Sequence, residues 1–79
     1  MKMWVNIERV EESEFNDSKI AYFKIAEREK HVVVSKNVLH YLKIHGIRAN
    51  DKIFVILSKR SGKYIYLAKK YMRGNIESE

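Results

Sequence analysis

The sequence predicts a small α+β domain, mostly β, with a single short helix over about residues 36–44. Two stretches, Met3–Val10 and Ile20–Ala26, alternate apolar and polar residues with the period of two that a half-buried strand requires. The run Ile53-Phe54-Val55-Ile56-Leu57 is apolar at every position and is followed by a Gly-containing cationic turn and a second β-rich run. One segment, opened by Ser35, spaces its apolar residues as a helix does.

Taken in order, the first strand places Met3, Val5 and Ile7 on one face and Asn6 and Glu8 on the other. Glu11 to Ser18 is polar and reads as a loop. In the next strand Ala21, Phe23 and Ile25 point inward, and Tyr22 and Lys24 outward. The charged run Glu27-Arg28-Glu29-Lys30 is expected to connect it to a short β-branched strand, His31-Val32-Val33-Val34. Ser35 is a good N-cap, because its hydroxyl accepts from the free amides of a first helical turn. Lys36 to Ile44 follows, with Val38, Leu39, Tyr41 and Leu42 as an apolar stripe and Gly46 as the residue expected to end the helix. Ala49-Asn50-Asp51-Lys52 is a turn into the apolar strand, Ser58 to Lys63 a hairpin loop with Gly62 at positive φ, and Tyr64 to Lys69 the last strand. Residues 72–79 are expected to form a flexible tail, and the whole chain a single domain. A strand apolar on both faces needs cover on both, which a second copy of a 79-residue chain would supply.

Composition narrows the function. Without Cys there is no disulfide, no thiolate nucleophile and no Cys-based zinc site, and the chain suits a reducing cytoplasm. No apolar stretch approaches the roughly 18 residues of a membrane span, and the N-terminus turns polar too early for a signal peptide. The net charge of +6 is unevenly spread. Residues 31–73 hold ten of the sixteen Lys and Arg residues and one acid, Asp51, whereas the acids cluster before residue 30. Such an excess attracts polyanions, of which nucleic acid is the commonest; the alternative is a solvated basic surface.

No catalytic or nucleotide-binding motif occurs, so the expectation is a binding protein without cofactor or metal. His31, His40 and His45 lack metal-ligand spacing. Lys36, His40 and Lys43 fall at i, i+4 and i+7, a polar stripe that could follow a phosphate backbone or face water. Lys59, Arg60 and Lys63 crowd the last hairpin loop and are second-tier phosphate contacts. Tyr22, Tyr64 and Tyr66 could stack single-stranded bases or simply fill a sheet.

From His31 onward the order of pieces resembles the AbrB/MazE-like swapped-hairpin transcription factors. The pieces are His31-Val32-Val33-Val34, the capped helix from Ser35, the turn Gly46-Ile47-Arg48-Ala49-Asn50-Asp51-Lys52-Ile53 and the strand Tyr64 to Lys70, with Tyr22 to Ala26 at the family's first strand. The resemblance covers about residues 20–71 and leaves 1–19 as an additional strand and acidic loop. It implies an intertwined homodimer whose hairpins exchange into a β-barrel that docks on double-stranded DNA, as a small regulator or architectural protein. Lys24, Arg28, Lys30 and His31 would then contact DNA from the hairpin, and Lys36, His40, Lys43 and Arg48 from the helix and the turn after it. Ser35 stands where the family usually has Pro, the helix is about three residues longer, and Leu39-His40 replace the usual arginine pair. Two alternatives are a monomeric barrel binding RNA or single strands, and an antitoxin-type module that meets a protein partner through the acidic segment 8–17.

Overall fold

A computed structural model describes residues 1–14 and 17–74. Among the described residues, six strands form two antiparallel three-stranded sheets with one short helix, and no closed barrel is formed. Sheet A contains β1 (Lys2–Asn6), β5 (Lys52–Arg60) and β6 (Lys63–Met72), in the order β1-β5-β6. Sheet B contains β2 (Arg9–Glu12), β3 (Lys19–Ile25) and β4 (Arg28–Val34), in the order β2-β3-β4. The helix α1 (Lys36–Leu42) links β4 to the loop before β5 and packs against β4 and β6.

The first alternating stretch is two strands in two different sheets. Val5 and Ile7 both point inward, so the period of two runs unbroken through the corner between them. Hydrogen bonds fix that corner: the Ile7 amide donates to the Asp51 carbonyl (2.9 Å), Asn50 donates to the Ile7 carbonyl (2.7 Å), and Glu8 donates to the Tyr22 carbonyl (2.7 Å). A strand that switches sheets in this way turns two layers into one core. Glu11 and Glu12, expected in a loop, extend β2 and pair with Ile20 and Lys19. Part of the expected loop, Phe15-Asn16, lies outside the described residues.

Both remaining hairpins turn earlier or tighter than the charges suggest. The β3–β4 turn is Ala26-Glu27, with φ of 52° and 70°, so Arg28, Glu29 and Lys30 belong to the strand. Two successive positive-φ residues match the right-handed strand twist, and Asn-Gly is the usual choice. Ala26 and Glu27 adopt it at a steric cost of roughly 1 kcal/mol each, which is why no turn signal marks the site. The β5–β6 turn is Ser61-Gly62 (φ 50° and 81°), and the strands run out to Arg60 and Lys63 where a longer loop was expected. The last strand also runs past Lys69 to Met72.

The helix begins as expected: Ser35 Oγ accepts from the Val38 amide at 3.2 Å. It ends at Leu42, not Ile44, because Lys43 takes the left-handed conformation (φ 60°) and its amide donates back to the His40 carbonyl. Gly46 does not supply the stop. The stripe of Lys36, His40 and Lys43 is therefore cut, since Lys43 no longer lies on the helix.

Sheets A and B face each other across one core. Val5, Ile53, Val55 and Ala68 come from sheet A, Ala21, Phe23, Val32 and Val34 from sheet B, and Ile7 and Ile47 from the connections. Phe23 is fully buried and meets the Tyr66 ring edge-on, centroids 5.2 Å apart. The inner face of β5 is thus covered by the chain's own second sheet, where the sequence suggested a second copy. Its outer face, with Phe54 and Ile56, is only half-buried. Among the described residues no helix is long and apolar enough to cross a membrane.

Candidate nucleic-acid interface

The outer faces of the two sheets differ in charge: one is balanced, the other cationic. On sheet B, cross-strand pairing aligns Arg9 with Tyr22 and His31, and Lys24 with Glu29. Arg9 forms ion pairs with Glu29 and Glu11 while its guanidinium lies 3.9 Å above the Tyr22 ring. His31 sits on the other side of Tyr22, ring centroids 6.0 Å apart. Each cation of this face has an acid beside it, so its field at a distance is weak. Lys30 points the other way, onto the core side opposite Phe23, and Arg28 lies at the β3–β4 turn opposite Ile25.

Sheet A is different: Lys2, Lys52, Lys59, Arg60, Lys63, Lys69 and Lys70 are cations, and none of its residues is acidic. Register sorts these by face. One outer row reads Trp4, Phe54, Lys70; the rows on either side read Asn6, Lys52, Met72 and Lys2, Ile56, Leu67; Arg60 and Lys63 close the face at the hairpin end. The Trp4 and Phe54 rings pack edge-on at 5.4 Å, and Lys70 Nζ lies 5.4 Å from the Phe54 centroid. Lys2, Lys52 and Lys70 form no ion pair with a described residue. A bulge opposite Phe54-Val55 displaces Lys69 from this face, and its ammonium lies 6.0 Å from the Tyr41 ring of α1.

Asp51, the one acid between residues 31 and 73, is turned inward and buried, and its charge is balanced locally by the Arg48 guanidinium 3.7 Å away. Its carboxylate accepts from the Tyr71 hydroxyl and from the Gly74 amide (2.7 Å), while the Tyr71 oxygen accepts from the Arg48 amide (3.0 Å). Burial pushes the Asp51 carboxyl up, but the Tyr71 and Gly74 hydrogen bonds and the nearby Arg48 charge outweigh it and hold the group below its ordinary value. Burial, and then the bond to Asp51, push the Tyr71 hydroxyl up to about 12. Beside this network lies an open cleft of about 450 Å³ bordered by Lys43, His45, Arg48 and Arg73.

Compared with known proteins, the chain matches no family model, no curated protein and no solved structure.

The structure brings some of the expected residues together and separates others. Lys43 and Arg48 share the cleft. Lys24 and His31 share the sheet B face with Glu29 and Glu11. Lys36 forms an ion pair with Asp17 (3.4 Å) at the helix start, and His40 is exposed in the last helical turn. Lys59, Arg60 and Lys63 crowd the β5–β6 tip, where Lys59 Nζ is 5.5 Å from the Tyr64 ring. The three tyrosines do not form one platform: Tyr22 faces out from sheet B, Tyr66 packs on Phe23, and Tyr64 is exposed near the tip. Trp4, Phe54, Lys2, Lys52 and Lys70 form a group that no linear pattern marked, because only the β1–β5–β6 register assembles it. No group of three or more His, Asp or Glu side chains that could hold a metal occurs among the described residues.

Proposed function

We propose that this chain is a nucleic-acid-binding domain whose main contact surface is the outer face of sheet A. The observation that carries the reading is the distribution of charge. The outer face of sheet A holds five cations, Lys2, Lys52, Arg60, Lys63 and Lys70, without an acid, over about 30 Å of strand, and the nearest acid in sequence is buried beside Arg48. A polyanion laid along β5 and β6 would meet Lys52 and Lys70 at one end, Lys2 near the middle, and Arg60 and Lys63 at the other. Such contacts to phosphate give affinity without sequence preference.

Salt dependence tests this directly. If Lys2, Lys52, Arg60, Lys63 and Lys70 each neutralise one phosphate, the slope of log K against log salt is about −3.5 for a single strand and about −4.5 for a duplex. Raising salt from 50 to 200 mM then weakens binding at least about a hundredfold. An affinity indifferent to salt would reduce the cationic face to a solvated surface.

The second reading is the exchanged homodimer on double-stranded DNA that the swapped-hairpin resemblance implies. The observation in its favour is an open cleft of about 600 Å³ between β4 and β6, where Val33, Leu57, Ile65, Leu67 and two tyrosines meet the polar side chains Glu29, Lys30 and His31. Two chains that exchanged their β3–β4 hairpins would keep the Phe23–Tyr66 contact, made between chains instead of within one. Light scattering at micromolar concentration decides: a mass of two chains supports exchange, and a mass of one with the fold intact removes it.

A further inference from the structure

We infer that Trp4 and Phe54 form a stacking platform for unpaired bases, so that the ligand of the sheet A face is single-stranded nucleic acid. The inference rests on the proposed nucleic-acid reading and adds the strand state that the face selects. Trp4 is the chain's sole tryptophan and leaves 40% of its surface exposed on an edge strand, more than a residue of this type usually leaves. Its contact with Phe54 holds it without covering it. Around the pair, Lys70 shares its cross-strand row, and Lys52 and Lys2 stand in the rows on either side.

That surround selects the occupant. Lysines without an ion pair around a half-exposed aromatic pair disfavour an apolar protein partner, which would have to desolvate three charges. The same lysines suit a chain that alternates flat bases with phosphates, since bases stack on the rings while phosphates meet the ammonium groups. A duplex offers the phosphates but keeps its bases stacked on each other, so the rings would gain nothing from it. Only a strand with free bases uses both halves of the site.

The test uses the full chain and three probes: an oligothymidylate of about 12 nucleotides, an abasic strand with the same number of phosphates, and a duplex of equal length. Because Trp4 is the only indole, its fluorescence reports on the site without labelling. Oligothymidylate is expected to quench it and to bind about tenfold tighter than the abasic strand, and tighter than the duplex. Trp4→Ala should erase the preference for oligothymidylate over the abasic strand, and Trp4→Tyr should restore most of it; both are followed by anisotropy of labelled strands. Equal affinity for the two single strands without quenching, or tighter binding of the duplex, would overturn the platform and leave phosphate binding by sheet A standing. Absence of binding to all three probes would overturn both.

Discussion

Replacing Phe23 by alanine is expected to cost about 3–5 kcal/mol, the range for deleting a buried aromatic side chain. A domain of this length has a total stability of only about 4–12 kcal/mol, so the variant would lose a quarter or more of it. The size of the effect follows from position. Phe23 lies on the central strand of sheet B, is fully buried, and reaches across the layer to the Tyr66 ring of sheet A. The core residues Val32, Ile53 and Val55 sit on paired strands, which hold them from collapsing into the space. Urea unfolding measures the loss. A cost below about 1 kcal/mol would mean that the two sheets do not pack together in this way.

Asp51→Ala is expected to cost about 2–4 kcal/mol, because it leaves the Tyr71 hydroxyl and the Gly74 amide without their buried acceptor. This carboxylate ties the loop before β5 to the end of β6. The approach there is tight: a Cβ on Gly74 would come within 2.0 Å of the Asn50 carbonyl oxygen. The same network makes stability depend on pH at both extremes. The folded Asp51 pKa lies below its ordinary value, so its contribution is complete above about pH 4 and is lost as pH falls through the folded pKa. The folded Tyr71 pKa is raised from 10 to about 12, so its contribution is complete below pH 10 and is lost as pH rises toward 12. Melting temperature followed from acid to alkaline pH should fall in both windows in the wild type. In Asp51→Ala the two falls should be shallower, and an unchanged profile would show that the network contributes little.

Much of the strand pattern was legible in the sequence, for reasons these residues make concrete. The inward set Ala21, Phe23 and Ile25, the Ser35 cap, the central apolar strand and the positive φ of Gly62 all follow from local rules. What escaped is what local rules cannot see. The corner at Ile7 preserves the alternation of a single strand while moving the chain to another sheet. The Ala26-Glu27 turn lacks the Gly or Asn that would announce it, and Lys43 takes a left-handed cap that Gly46 was expected to provide. The functional face was half legible: the charge excess after residue 31 is plain in the sequence, and its lone acid is turned inward beside Arg48. Its aromatic centre was not, because Trp4 and Phe54 are fifty positions apart and meet only through the β1–β5 register.

The outer faces of the two sheets can be compared in one assay, anisotropy of a labelled oligothymidylate at about 50 mM salt against three proteins. They are the wild type, a sheet A reversal (Lys2→Glu with Lys70→Glu), and a reversal outside that face (Lys24→Glu with Lys36→Glu). All four side chains are exposed, so the folds should survive, which circular dichroism would verify. The sheet A reversal is expected to weaken binding by about a hundredfold or more, and the other by no more than about threefold. The opposite order, or equal losses, would contradict the assignment of nucleic-acid contact to sheet A.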